Sequence, residues 1–250
     1  MKLLIISDLH IGKNSKFNSF GWNCYEFIEY LGFYINELSI DKVILNGDIF
    51  DLYQHSYSEI YSENKDLVDF FNHEKFIYIR GNHDFLHKSG ADSINIENSK
   101  GEIIHIEHGH NADLLNGTII GRFLGKSFYY LLVRLMNFNF VKHLFYKIVE
   151  YNDEINRIPR KYNTYKYLQY ALKLLKKNDV VILSHTHKLE DFKTYFLNNK
   201  KRYLNSGSCS MGRFQGIVID TETLKTETIK VNKDKIKSCR ELSENMMISA

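Results

Sequence analysis

Proline occurs once in the chain, at Pro159, and cysteine three times, at Cys24, Cys209 and Cys239. The cysteines are odd in number, widely spaced and in no CxxC pair, which argues against a disulfide framework and a cysteine-ligated zinc knot. A reducing compartment, the cytoplasm, is the expectation that follows. An excess of charge is missing too. The formal net charge is only +3, without the clustered basic excess that holds nucleic acid electrostatically. Arg157, Arg160 and Lys161 form a small basic group, ordinary for a solvated helix face. Long apolar runs are also absent. The opening MKLLIISDLH loses its apolar character at Asp8; it is too short for a secretory core and reads as a first strand. The stretch Ile119 to Val149 is rich in Phe, Tyr, Leu and Val, but Arg122, Lys126, Arg134, Lys142 and Lys147 interrupt it too often for a membrane span.

What is present is an ordinary globular chain, with 250 residues, 44% hydrophobic and 25% charged, enough for one large domain or two small ones. Short apolar strands are expected at Lys2 to Ser7, Lys42 to Asn46, Lys75 to Ile79, Glu102 to Glu107 and Val180 to Ser184. Between the early ones, Phe20 to Leu38 and Glu63 to Asn72 carry apolar residues at three- and four-residue spacing, as helices do. Strand and helix in alternation imply right-handed crossovers and a largely parallel sheet. Two hairpins follow, Asp191 to Leu197 with Lys201 to Asn205, and Gln215 to Asp220 with Thr226 to Val231. The expected class is α/β, either one mixed sheet or two packed mixed sheets flanked by helices. Residues 1–232 form the domain, residues 111–178 a helical insertion within it, and residues 233–250 a polar tail.

The strand ends carry the chemistry. They read Ser7-Asp8-Leu9-His10, Asn46-Gly47-Asp48, Gly81-Asn82-His83-Asp84, His108-Gly109-His110 and Ser184-His185-Thr186-His187. In an open α/β sheet the carboxyl ends of the strands face a common crevice. Residues two apart, such as Asp8 and His10 or His185 and His187, point the same way on extended backbone. Carboxylate, imidazole and amide oxygen suit Mn²⁺, Fe²⁺ or Zn²⁺. Seven such groups exceed the need of one tetrahedral ion and match two ions ~3.5–4 Å apart that share a carboxylate and clamp a phosphoryl displacement.

In this combination the motifs D-x-H, G-D, G-N-H-D, H-G-H and the GHTH-like box resemble the calcineurin-like metallophosphoesterase superfamily, over roughly residues 1 to 220. The resemblance implies a sandwich of two sheets with helices outside and a dinuclear centre at the sheet ends. It also implies ligands. Asp8, His10, Asp48 and His187 would hold one divalent ion, and Asp48, Asn82, His108 and His185 the other, Mn²⁺ being preferred. His83 would serve the leaving oxygen as electrophile or proton donor, with Asp84 orienting it. Gly47 to Leu52 and His108 to Asp113 look most like the UDP-2,3-diacylglucosamine diphosphatases, which also carry a helical insertion there. Three features depart from that branch: His83 stands where its members have Arg, Ser184 replaces the Gly of the GHTH box, and Asn205-Ser206-Gly207-Ser208 resembles the turn of small phosphodiesterases.

The insertion is expected either to pack as a plain helical subdomain or to act as a lid whose apolar surface meets acyl chains. In the second case Arg122, Lys126, Phe128, Leu132 and Asn205 bind the substrate, a phosphoester or pyrophosphate of a small molecule or lipid, with peripheral membrane contact. Competing expectations are a general phosphodiesterase, phosphatase or nuclease acting on nucleotides, and a scaffold without catalysis. No specific nucleic-acid partner is expected.

Overall fold

The computed structural model of the chain describes residues 1–13, 19–113, 116–135, 138, 140, 143, 147, 161–196 and 199–233. Strands β1 (Lys2–Ile6), β2 (Lys42–Asn46) and β3 (Phe76–Ile79) run parallel, β9 (Arg213–Asp220) adds antiparallel to β1, and β10 (Thr226–Asn232) antiparallel to β9, giving the order β10-β9-β1-β2-β3. A second sheet contains β4 (Ser93–Glu97), β5 (Ile103–Glu107), β6 (Val180–Leu183), β7 (Leu189–Phe196) and β8 (Asn199–Ser206), in the order β4-β5-β6-β8-β7. Both expected hairpins are present, as β7–β8 and β9–β10.

The layers follow from which faces are apolar. Leu3, Ile5, Ile44, Ile104, Ile106, Ile182 and Ile217 meet between the two sheets. Leu4, Ile6, Val43 and Leu45 point the other way, onto the helices. A strand covered on both faces must be apolar throughout, which is why KLLII and KVILN lack polar alternation. Helix α1 (Cys24–Glu37) lays Phe27, Leu31 and Ile35 on the first sheet. Its expected start at Phe20 moves to Cys24 because Asn23 and Glu26 form a capping box. The expected helix over Glu63 to Asn72 is α3 (Lys65–Phe71), and a helix outside the expectations, α2 (Tyr57–Glu63), precedes it. Asn64 separates them, its side-chain amide donating to the Gly12 and Ile60 carbonyls at 3.0 Å each.

Strand β4 has no counterpart among the sequence expectations. Its SINIE alternation is an edge strand with one half-buried face, paired only with β5. The segment 111–178 contributes helices α4 (Ile119–Leu135) and α5 (Lys161–Leu174). Ala171 of α5, with Leu175 just beyond it, packs on Val181, Leu183 and Tyr203, so α5 is the outer layer of the second sheet. The expected second apolar stretch, Val141 to Val149, and the tail beyond residue 233 lie outside the described residues, apart from residues 143 and 147. No described helix is long and apolar enough to cross a membrane.

Candidate metal centre

Past their last paired residues, β1 and β2 stay together. Asp8 N–H donates to Gly47 O at 3.0 Å, His10 N–H to Asp48 O at 2.9 Å and Ile11 N–H to Ile49 O at 2.8 Å. Within this connection the backbone leaves the extended region. Asp8, His10, Asp48, His185 and His187 all have positive φ, between 50° and 69°. Such backbone costs about 1–3 kcal/mol per non-glycine residue and persists where the surroundings over-determine it. Among the described residues only Ser39, Met211 and Leu224 share it outside glycine, so the strain is concentrated on the candidate ligands.

Extended backbone therefore does not explain how the pairs converge, and the two pairs behave differently. Asp8 and His10 do share one cluster, with His187. His185 and His187 separate, His185 joining Asp48 and His108. A third grouping, His10, Asp48 and His83, bridges the other two.

The donor atoms are prepared for cations. Asp8 Oδ2 accepts from Ser7 Oγ–H at 2.7 Å and from His185 N–H at 3.2 Å. Its Oδ1 makes no hydrogen bond, although His187 Nε2 and His10 Nε2 lie 3.1 and 3.9 Å away. His108 Nδ1 donates to Asn46 O at 2.8 Å, which leaves Nε2 as a lone pair, buried and without a hydrogen bond, 3.4 Å from Asp48 Oδ2. Asn82 Oδ1 is buried and unpartnered as well. Buried polar atoms without partners are rare in a folded protein, and these three are a carboxylate oxygen, an imidazole nitrogen and an amide oxygen. The residues fit a divalent metal ion.

The charges point the same way. Burial alone would raise the Asp8 carboxyl, but His187 and His108 pull it down to about 2. Burial opposes charge on His108, yet Asp48 and Asp8 lift it to about 10. His10 falls to about 4 through burial and the neighbouring His83. Acids and bases here offset one another's charge, and bound cations would take the place of the protons.

Two glycines make the packing possible. A Cβ on Gly47, whose φ is +84°, would stand 2.5 Å from His108 Nδ1. One on Gly81 would overlap Asp48 Oδ1 and its amide nitrogen. Ser184 is also built in, its hydroxyl accepting from Asn46 Nδ2 at 2.7 Å and bonding Ser206 Oγ at 2.7 Å, which ties the ends of both sheets together.

The residues expected for chemistry and substrate are placed as follows. His83 N–H donates to Asp48 Oδ1 at 2.8 Å, and its Nδ1 lies 3.1 Å from Asp51 Oδ1. Burial would lower this imidazole, but Asp48 and then Asp51 raise it to about 9. Asp84 does not orient His83. Its carboxylate accepts from Gly81 N–H at 2.6 Å, Ile49 N–H at 2.7 Å and the Tyr78 hydroxyl at 2.5 Å, which pins the two ligand loops together. Asp51 takes the orienting position instead, and its place three residues after Asp48 was the available signal. Asp113 was also missed. It pairs with Lys166 of α5 and lies 3.3 Å from His185 Nε2. Asn205 is fully buried, donating to Ser184 O at 2.8 Å and accepting from Gly207 N–H at 3.2 Å; it shapes the loop rather than reaching substrate. On α4, Arg122 and Lys126 are half-buried, Phe128 is exposed, and the Leu132 side chain is outside the described residues.

Solved structures align with this chain. A hypothetical protein from Pyrococcus horikoshii aligns with TM-score 0.51 and 13% identity over 97% of this chain and 93% of its own. A dimetal phosphatase from Danio rerio aligns with TM-score 0.43 and 9% identity over 92% and 98%. Vps29 complexed with zinc, from Entamoeba histolytica, aligns with TM-score 0.41 and 14% identity over 93% and 99%. The first likeness, at 13% identity, shows the fold alone; those at TM-scores of 0.43 and 0.41 establish nothing by themselves. No curated protein matches the chain. Residues 1–189 match the calcineurin-like phosphoesterase family, a span that includes every strand end carrying a candidate ligand. The chain belongs to the calcineurin-like phosphoesterase family.

Proposed function

We propose that this chain is a dinuclear metal-dependent phosphohydrolase cleaving a phosphodiester or pyrophosphate bond, with UDP-2,3-diacylglucosamine or a similar nucleotide-linked lipid as substrate. The carrying observation is the pair of clusters around Asp8 and Asp48 with their buried, unpartnered donor atoms. Asp8, His10, Asp48 and His187 would hold one ion, and Asp48, Asn82, His108 and His185 the other. Mn²⁺ is the preferred ion, Fe²⁺ and Zn²⁺ suiting the same donors. When bound, the ions polarise the phosphoryl oxygens and make water a nucleophile at neutral pH. His83, its Nδ1 held by Asp51, presents the other ring nitrogen to the leaving oxygen and holds the proton that oxygen needs.

The lipid part of the reading is supported by the orientation of α4. Gly121 is buried, and Arg122, Gly125 and Lys126 are half-buried. Ile120, Leu124 and Phe128 face solvent, with exposures of 74%, 62% and 67%. A soluble helix normally does the reverse. An outward apolar face beside a phosphoryl site suits acyl chains or a lipid surface, which supports reading the enzyme as peripheral on the inner face of a membrane. His83, which stands where the diacylglucosamine enzymes have Arg, favours a general phosphodiesterase as the second reading. Hydrolysis of UDP-2,3-diacylglucosamine, bis-p-nitrophenyl phosphate, cyclic nucleotides and single-stranded DNA, each with Mn²⁺, separates the two. Preference for the diacylated substrate is expected, and a preference for cyclic nucleotides or DNA would overturn it.

A further inference from the structure

Beneath the candidate metal centre, the side chains of Asn46, Ser184, Ser206 and Ser7 form one unbroken row of hydrogen bonds, and all four residues are wholly buried. Asn46 closes β2, Ser184 follows β6, Ser206 closes β8 and Ser7 follows β1, so the row passes from the first sheet to the second and back. Asn46 Nδ2 stands 2.7 Å from Ser184 Oγ, Ser184 Oγ 2.7 Å from Ser206 Oγ, and Ser206 Oγ 2.8 Å from Ser7 Oγ. The row ends on a candidate ligand, with Ser7 Oγ 2.7 Å from Asp8 Oδ2.

One hydrogen per hydroxyl fixes the direction. Asn46 Nδ2 also donates to the Glu107 carbonyl at 3.0 Å, an oxygen with nothing to give, so the amide nitrogen is a donor at the head of the row. If Ser206 donated to Ser184, the Ser184 hydrogen would meet only donors, and a buried donor without an acceptor is costly. The opposite direction uses every hydrogen. Asn46 donates to Ser184, Ser184 to Ser206, Ser206 to Ser7, and Ser7 to Asp8. The Gly207 carbonyl is a second acceptor for Ser7, at 3.2 Å against the 2.7 Å to Asp8.

Both ends of the row act on ligands. At its foot, Asp8 Oδ2 is committed to the Ser7 hydroxyl and the His185 N–H, while Oδ1 stays buried and without a hydrogen bond. At its head, the Asn46 carbonyl accepts from His108 Nδ1 at 2.8 Å. We infer that Ser184, Ser206 and Ser7 are positioning residues, a one-way row of hydrogen bonds that locks the Asp8 carboxylate with Oδ1 free for a cation. Ser184 stands where the GHTH box has glycine, which has no hydroxyl to continue the row, so the departure itself carries the role. The inference rests on the reading of the Asp8 and Asp48 groups as a two-metal centre.

The test is calorimetric titration of the full, metal-free chain with Mn²⁺. His187→Ala, which removes a ligand proposed for one ion only, identifies the binding step that belongs to Asp8. Ser206→Ala is expected to weaken that step about tenfold, as for loss of an outer partner of a metal ligand, and to spare the other step. Ser184→Ala breaks the row at a second point and is expected to act in the same direction. The double variant should be no weaker than Ser206→Ala alone, because groups in one network are not additive. Circular dichroism confirms that each variant is folded. A purely structural role would lower stability without separating the two steps. An unchanged Asp8 step in the folded variants, or equal weakening of both steps, overturns the row while the metal reading stands. A wild type that takes up no Mn²⁺ overturns both. Selective weakening in a protein that hydrolyses no phosphoester keeps the row and overturns the phosphohydrolase reading.

Discussion

His83 and Asp51 are partners: Nδ1 of the imidazole lies 3.1 Å from Oδ1 of a carboxylate that is almost wholly buried. Asp51 in turn accepts from the Gln54 amide. The ring is fixed on one side by this carboxylate and on its face by Tyr53. Asp51→Asn should therefore lower kcat while the metal content, read by elemental analysis, stays at the wild-type level. His83→Ala should lower kcat by ~10²–10⁴. Because the two act as a unit, the double variant should be little worse than His83→Ala alone. Additive losses would show that Asp51 acts independently of the ring.

Metal removal should abolish hydrolysis, and Mn²⁺ should restore it. Among single ligand changes, Asp48→Ala should lower metal content most, since Asp48 is the one residue that would hold both proposed ions. His187→Ala should spare the grouping of Asp48, His108 and His185. Full activity after exhaustive chelation would end the metal reading.

Gly81→Ala places a methyl group against the Asp48 carboxylate. Forcing a methyl group into such a close contact costs about 1–3 kcal/mol, and the strain falls on a candidate ligand, so metal content and activity should drop together. Gly32, inside α1, is the control, because a Cβ there meets nothing within 4 Å. Gly32→Ala should raise stability by about 0.5–1 kcal/mol in denaturant titration, with activity retained.

Replacing Leu124 and Phe128 with serine should not reduce the thermal midpoint, because both side chains already face solvent. It should reduce co-sedimentation with lipid vesicles, each apolar CH₂ withdrawn from lipid being worth ~0.8 kcal/mol. kcat/KM should fall more on a diacylated nucleotide sugar than on bis-p-nitrophenyl phosphate. A lowered thermal midpoint with equal losses on both substrates would mean that the pair only packs the fold.

Local chemistry made much of this legible. KLLII, KVILN and VVIL are apolar at successive positions because both faces of each strand are covered, and that pattern survives in one dimension. Strand β4 did not register because an edge strand with one half-buried face needs only a weak alternation. Helix α2 also lay outside the expectations, although its capping box of Ser56 and Glu59 is a local signal.

By itself the sequence determined which residues end the strands, and so which donor chemistry gathers at one edge of the sandwich: carboxylates, imidazoles and an amide, without thiolates. Their division was a tertiary matter. His185 and His187 are two residues apart, yet they join different clusters, while Asp8 and His10, with the same left-handed backbone at both positions, stay in one, so neither spacing nor local backbone decides the division. Tertiary contact likewise gave Asp84 to the backbone of two loops and Asp51 to His83. Either carboxylate satisfies the residue pattern. Only the packing of the β2 loop against the β3 loop decides which oxygen reaches the ring, since hydrogen bonds act over about 3 Å and sequence spacing carries no such distance.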